Sequence, residues 1–453
     1  MPHALACAAC HARYGPRTLL VECPACGGLL DLDAPAPNAT GPALRARFDD
    51  RRAGALSPVG FHGGPAERVR ASGVWRFREL VLPDADDHEI VSHPEGDTPL
   101  LHRGAVAGWA GVDALLLKHD GHNPTGSFKD RGMTAALTQA RRAGARAVAC
   151  ASTGNTSAAL AAYAALAGLP GLVLVPAPRA GRGPAAEPQV ALGKLAQTLA
   201  YGARTLLVRG DFDACLALVR EHAARLGVYL VNSVNPYRVA GQKSVVFELL
   251  QQLGWRAPDW VVLPAGNLGN TSAVGAALRD SRALGLVDRV PRVAAVQAAG
   301  AAPFAAAFRG GFAERRAVRA ETVATAIKIG DPASWDRAVR VIAETDGVVT
   351  AVDDEELLAA KAAVDASGVG CEPASAASVA GVRRLAREGV IRPGETAVAL
   401  LTGHVLKDPG VLLDVHRAAA GHHDGPARPW ANPPVEIDAT ADALERAVAG
   451  AAR

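Results

Sequence analysis

ARAVACASTGNTSAALAAYAALAG, residues 145–168, is the stretch whose reading decides the fold. ARAVACAS is short and apolar, as a buried strand is, and it runs into the small polar cluster Ser152-Thr153-Gly154-Asn155-Thr156. An alanine-rich segment with the character of a helix begins straight after. The same alternation recurs along the chain. LPGLVLVPA follows at 169–177, DWVVLPA runs into GNLGNTSAVGAALRD from 259, and RVAAVQAAG and TAVALLTG stand at 292–300 and 396–403. Apolar strands alternating with helices predict an α/β fold, two subdomains with mostly parallel sheets and helices on both faces. No internal repeat is visible.

Composition narrows the class. The chain has 453 residues, 49% hydrophobic and 21% charged, which is ordinary for a globular protein and unlike a disordered one. Lys plus Arg number 48 against 45 Asp plus Glu, so the excess is only +3. No basic face for a nucleic acid is written there. The N-terminus MPHALACAACHAR lacks the basic and apolar regions of a secretory signal, and no apolar run is long enough to cross a bilayer. Seven cysteines without export features read as thiols or metal ligands in a reducing cytoplasm.

Cys7, Cys10, Cys23 and Cys26 form CxxC-x12-CxxC, a spacing that can present four thiolates tetrahedrally to one structural zinc. A four-cysteine shell leaves no open position for substrate, so catalysis by that metal is disfavoured. Four free thiols in a short tail is the competing reading. Residues 1–33 are therefore expected to be a zinc ribbon, and 34–95 a connector wrapping onto the next domain through GVWRFRELVLP. Residues 96–410 are the expected catalytic domain, with a smaller subdomain at about 135–235, and 411–453 are a tail with a short strand and a terminal helix.

Four clusters carry chemistry. HNPTGSFKDRGM, 122–133, sets Lys129 just after a Pro-Gly turn. An isolated lysine beside Asp130 is ordinarily a surface ion pair, whereas one held partly desolvated at a pocket wall becomes a neutral nucleophile. In STGNT, free backbone N–H groups at a helix start favour a carboxylate or phosphate, and simple helix capping by Thr153 or Thr156 fits equally. Gly266-Asn267-Leu268-Gly269-Asn270, after a strand and before a helix, lets backbone approach a phosphate closely. It has neither the GxGxxG spacing of a dinucleotide fold nor the lysine of a P-loop. Thr402, in ALLTGHVLKDP, falls at a strand's carboxyl end, where α/β folds place ligand contacts.

In this order the clusters resemble the threonine synthases, of the fold-type II (tryptophan synthase β-like) pyridoxal-phosphate enzymes, over roughly residues 90–410. VSHPEGDTPL, NSVNPYRVAGQK, TAIKIGDPASW and EPASAAS extend the likeness. The resemblance implies pyridoxal 5'-phosphate held as a Schiff base by Lys129. Asn155 would meet its phenolic oxygen, Gly266, Asn267, Leu268, Gly269 and Asn270 its phosphate, and Thr402 its ring nitrogen. Substrate contacts would come from Ser152, Thr153, Thr156, Asn232, Ser233 and Arg238, with Arg238 gripping a substrate phosphate. It also implies conversion of O-phospho-L-homoserine and water to L-threonine and phosphate, a cytoplasmic enzyme, and a homodimer, with no nucleic acid or membrane partner.

Two residues depart from the family pattern. Val405 stands where glycine is usual, and a valine does not easily take a positive φ, so a different local backbone is expected. His122 precedes NPTG where a smaller residue is common. Two other enzymatic readings are a cysteate synthase-like enzyme and a serine or threonine dehydratase. A non-catalytic zinc-ribbon binding protein is the alternative from another class.

Overall fold

The computed structural model describes residues 2–55, 69, 71–152, 154–177, 192–209, 212–417, 428 and 430–451. Three sheets organise them. The N-terminal strands β1 (Ala4–Cys7), β2 (Arg13–Tyr14) and β3 (Leu30–Asp33) form an antiparallel sheet in the order β2-β1-β3. Strands β4 (Leu100–His102) and β5 (Ala114–His119) begin the large sheet. The chain then leaves it to build β6 (Ala147–Ala151), β7 (Gly171–Pro176), β8 (Arg204–Val208) and β9 (Val228–Leu230), a four-stranded parallel sheet in the order β8-β7-β6-β9. It returns with β10 (Trp260–Pro264), β11 (Arg292–Ala298), β12 (Val348–Val352) and β13 (Thr396–Leu401).

The large sheet runs β12-β11-β10-β13-β5-β4, parallel except for the antiparallel edge pair β4–β5. Its central strands β10 and β13 are buried almost throughout, which is why they read as continuous apolar runs and not as alternating ones. Open α/β sheets bind ligands beyond the carboxyl ends of their strands. Here β6, β10 and β13 all end in the segments singled out from sequence, at Ser152, Gly266 and Thr402.

The chain divides into two compact units, Met1–Asp408 and Pro409–Arg453. In the first, the apolar side chains of GVWRFRELVLP are buried as a wrapping segment requires: Trp75 donates to Thr134 Oγ1 at 2.7 Å, and Phe77 packs on Phe48 with ring centroids 5.0 Å apart. In the second, the helices are Pro409–Arg417 and Ala441–Ala451. The short strand expected around PPVEID is absent among the described residues. Pro433 and Pro434 lack the N–H groups a ladder needs, and Val435 is solvent-exposed. No helix among the described residues is long and apolar enough to cross a membrane.

A buried charge cluster centres on Glu248, on the helix Ser244–Gln252. Its carboxylate accepts from Arg131 Nη2 at 2.8 Å, from Lys118 Nζ, and from the backbone N–H groups of Asp97 (2.6 Å) and Thr98 (2.9 Å). Arg131 also donates to both oxygens of Asp120, at 2.8 and 2.9 Å. Burial alone would raise the Glu248 pKa, but the Arg131 and Lys118 charges outweigh it and hold the carboxyl well below the usual range. Its contribution to stability is complete above the ordinary glutamate pKa and is lost as pH falls toward the depressed folded value. Glu248→Ala leaves buried Lys118 with no carboxylate and Arg131 with Asp120 alone, and should cost about 3–5 kcal/mol in chemical denaturation at neutral pH. A loss under about 1 kcal/mol, the worth of a surface pair, would mean the cluster does not hold the fold.

Candidate active site

Lys129 is the first residue of the helix Lys129–Arg142. Asp130 fixes the preceding turn, accepting from Thr125 N (2.7 Å) and Thr125 Oγ1 (2.6 Å), with Gly126 at φ +82°. Phe128 N donates to Thr402 O at 2.9 Å, so the lysine loop is stitched to the end of β13. The Lys129 amine lies 4.0 Å from the Phe128 ring centroid, and no hydrogen bond or ion pair engages it among the described residues. Desolvation, reinforced by the positive charges of Arg238 and Lys194 and opposed by Glu372, pulls its pKa down to about 7. A surface pair with Asp130 is excluded.

Asn155 opens the helix Asn155–Ala167, whose N-cap Gly154 offers no side chain, and no side-chain cap occupies its first N–H groups among the described residues. Thr156 lies in the first turn and is not the cap; Thr153 lies outside the described residues. Asn155 Nδ2 donates to both Glu372 oxygens at 3.0 Å, while its Oδ1 is buried without a partner. Glu372 begins the segment EPASAAS, and its backbone N–H donates to Gly403 O at 3.0 Å. A Cβ on Gly403 would stand 2.3 Å from Glu372 Oε1, so only glycine permits this approach. Thr402 Oγ1 sits 3.0 Å from Ser375 Oγ.

The glycine loop follows β10. Leu268 adopts φ +61° as the N-cap of the helix Gly269–Ala283, and no side chain caps it. Such a left-handed non-glycine residue is a mark of functional strain. A Cβ on Gly266 would approach Ile327 Cα to 3.0 Å. Asn267 holds the loop in place: Nδ2 donates to Ser233 Oγ, and Oδ1 accepts from Ala333 N at 2.7 Å. Asn270 is in the first helical turn. Thr271 Oγ1 and Ser334 Oγ are buried and have no partner among the described residues.

Arg238 is fully buried on the helix Pro236–Gln242, so it is not the surface arginine that its position beside Tyr237 also allowed. Nη1 donates to Val231 O at 3.1 Å, and Nε and Nη2 are without partners. Burial lowers its pKa to about 10, which leaves it cationic at neutral pH. Asn232 binds the backbone of Ala151 with both ends of its amide, at 3.1 and 2.9 Å, tying β6 to the segment after β9. Ser152 Oγ accepts from Gly154 N at 3.1 Å. These last two hold the scaffold visibly.

Several participants were not singled out from sequence. Buried Lys194 pairs with Asp408 at 2.8 Å and lies 3.5 Å from Glu372. Glu372, Ser375, Ser334 and Asp408 all fall in motifs that carried the resemblance, which was a usable signal; Lys194 had none. Val405 does not take a positive φ. It opens a short 3-10 turn, Val405–Lys407, and packs against Gly370, itself at φ +70°, where an added Cβ would come within 3.2 Å of Val405 Cβ. His122 is exposed, with its ring 4.6 Å from that of His119.

A protein-family model described as pyridoxal-phosphate dependent enzyme matches residues 91–403. A threonine synthase of Methanosarcina acetivorans is 41% identical over 451 residues, 99% of each chain. One from Methanocaldococcus jannaschii is 44% identical over 353 residues, 76% of this chain and 83% of that one. The chain belongs to the threonine synthases. A crystal structure of Escherichia coli threonine synthase superposes with a TM-score of 0.66 at 20% identity, covering 99% of this chain and 100% of that one. Maize serine racemase does so with 0.58, also at 20%, over 78% of this chain and 98% of its own. At such identities the two likenesses concern the fold.

The residues present fit the pyridoxal phosphate of that family. A desolvated amine, an orphaned amide oxygen on Asn155, and an uncapped glycine-rich helix start with two idle hydroxyls are complementary to an aldehyde, a polar ring and a phosphate. An amine with a pKa near 7 is half neutral at that pH. The rate at which the cofactor-free chain takes up pyridoxal phosphate should therefore rise with a midpoint near pH 7, followed by visible absorbance. A midpoint near the ordinary lysine value of about 10.4 would show that desolvation does not act on Lys129.

Proposed function

We propose that the chain converts O-phospho-L-homoserine and water to L-threonine and inorganic phosphate. The observation that carries this is Arg238: a buried guanidinium with Nε and Nη2 idle, its charge felt at the Lys129 amine. Idle buried donors are costly unless something accepts from them, and a guanidinium matches phosphate oxygens in a two-point grip. Lys129, Asn155, Thr402 and the Gly266–Asn270 loop would hold pyridoxal phosphate, which when bound supplies a ring that draws electrons from the substrate's α-carbon.

This chain's own residues supply the rest. Lys129, largely neutral above pH 7, would carry one proton at a time. It accepts the α-proton and gives it up, then accepts a β-proton and hands it to the γ-carbon once the phosphate has left; the α-carbon regains its proton at the end. Arg238 holds the γ-phosphate and stabilises the charge that develops as the carbon–oxygen bond to it breaks. Water then delivers the hydroxyl at the β-carbon. Thr402 offers the ring nitrogen a hydroxyl where a carboxylate would force protonation, and Ser375 sets its orientation at 3.0 Å. Ser152, Thr156, Ser233 and Asn232 line the same strand ends and complete the substrate side.

Two finer readings belong with this one. The Cys7, Cys10, Cys23 and Cys26 sulfurs all lie within 4.8 Å of one another, with Cys7–Cys26 at 3.5 Å and Cys10–Cys23 at 3.6 Å. Four thiolates about 2.3 Å from a central zinc stand about 3.8 Å apart, so the set suits one structural zinc. All seven cysteines are free, which suits a cytoplasmic enzyme. A homodimer is the assembly the family implies.

The test is release of phosphate and threonine from phosphohomoserine by the holoenzyme, with phosphoserine as the control that would point to a cysteate synthase-like activity. Lys129→Ala should lose both turnover and the visible absorbance; a variant that keeps either reassigns the lysine. Arg238→Ala should raise KM for the phosphorylated substrate about 10–100-fold, with cofactor affinity little changed. Equal loss of both would remove Arg238 from the substrate side. Cys23→Ser should lower zinc content and thermal stability and leave the visible spectrum intact, and stoichiometric zinc in that variant would refute the ribbon assignment.

A further inference from the structure

Lys194 takes no part in the proposed reaction, yet it is buried among the segments that serve it. It lies on the helix Leu192–Ala200, between β7 and β8, and so belongs to the small sheet's half of the fold. Its ammonium has three N–H groups, and three acceptors from separate segments of the large sheet's half surround it. They are Asp408 Oδ2 at 2.8 Å, Thr325 Oγ1 at 3.0 Å and Glu372 Oε2 at 3.5 Å. Thr325 Oγ1 in turn donates to Asp408 Oδ2 at 3.0 Å. Glu372 and Asp408 are themselves buried, and Lys194 is the ion-pair partner of both among the described residues.

Each of the three acceptors adjoins a segment proposed to hold the cofactor. Glu372 receives the Asn155 amide on both oxygens and packs against Gly403, the residue after Thr402. Thr325 opens the short turn Thr325–Ile327, and Ile327 is what a Cβ on Gly266 would meet, at 3.0 Å. Asp408 follows Lys407, which donates to Thr125 O at 2.6 Å in the loop before Lys129. One amine therefore meets the supports of the Asn155 amide, the glycine loop and the lysine loop.

We propose that Lys194 is a positioning residue of the cofactor site. It fixes Glu372, and through Glu372 the Asn155 amide, while its grip on Thr325 and Asp408 steadies the turns next to the two loops. This rests on the reading in which Asn155, Thr402 and the Gly266–Asn270 loop face pyridoxal phosphate. Because Lys194 comes from the other half of the fold, the cofactor side is complete only while its helix is docked.

The same ammonium acts on Lys129 through space. Besides desolvation, the largest cause, Arg238 and Lys194 lower the pKa of that amine and Glu372 raises it. Removing Lys194 withdraws a positive charge and frees Glu372 of its counter-ion. Both changes favour a proton on Lys129, so both move its titration upward.

The test follows uptake of pyridoxal phosphate by the full chain, freed of cofactor, through visible absorbance across a pH series. Lys194→Met should weaken cofactor affinity at least about tenfold and raise the uptake midpoint from about 7 by about one pH unit. Lys194→Arg keeps the charge and should hold the midpoint near the wild-type value. Asp408→Asn loosens the grip but leaves the charge, so affinity should fall with no rise in midpoint. The double variant Lys194→Met with Asp408→Asn removes both ends of the pair and serves if the single one folds poorly; its midpoint should also rise. Unchanged affinity and midpoint in Lys194→Met overturn the assignment. So does lost affinity with an unmoved midpoint, which a merely structural lysine would give. Lys129→Ala keeps the two readings apart. If it retains the visible absorbance, the cofactor site itself is misplaced; if it loses it while Lys194→Met behaves as wild type, the role of Lys194 alone falls.

Discussion

The Arg131 guanidinium, clasped between Asp120 and Glu248, is the constraint on which the rest depends. Arg131 stands two residues after Lys129 on the same helix, so whatever anchors it anchors the start of that helix. Asp120 directly follows the first parallel strand of the large sheet, and Glu248 belongs to a helix from beyond the small sheet, so one side chain joins three parts of the fold. A desolvated lysine is unstable in its charged form and would swing to water if its backbone allowed. The buried pairs beside it, together with Asp130's grip on Thr125, take that freedom away. A desolvated amine is thus held in place by buried ion pairs that it does not touch.

Charge around the amine is arranged in a definite order. Arg238 and Lys194 both disfavour a proton on Lys129, while Glu372 favours one. Glu372 is partly committed elsewhere, to the Asn155 amide and toward Lys194. Its attraction for Lys129 is correspondingly shared. Of these two cations, Lys194 is paired with Asp408, and Arg238, with Nε and Nη2 idle, is the one that an anionic substrate would engage. Substrate binding would therefore cancel part of the field that depressed the amine, and raise its affinity for a proton at the moment it is needed as a base.

Much of this was legible in the sequence because it is local. The strand-loop-helix junctions at Ser152, Gly266 and Thr402 each lie within one short segment, and Lys129 was marked by its immediate neighbours. What was not legible joins distant segments. Asn155 meets Glu372 across 217 positions, and Lys194 meets Asp408 across 214. No periodicity or spacing encodes such pairs. Arg238 was found as a residue type in a plausible motif, but its burial, which gives its idle donors their meaning, follows only from the packing of its helix against the Lys129 helix. Val405 was noticed as a departure, and here its side chain packs against Gly370 while the residue opens a 3-10 turn at a negative φ.

The ribbon takes its significance from where it docks. His3, fully buried, pairs with Asp84 at 2.7 Å and with the Tyr237 hydroxyl at 2.8 Å. Tyr237 is the residue before Arg238, so the N-terminal module grips the helix that presents the candidate phosphate-binding side chain. Arg337 holds the opposite end, at Leu30 and Asp31 in β3. A sheet of two- and four-residue strands has too little core to be stable alone. A zinc held by the four cysteines, as proposed, would cross-link it, and the body that receives it lends it order. Order then passes in the other direction as well: a seven-residue helix carrying a buried, half-satisfied arginine needs rigid support on its outer face, and the ribbon supplies it.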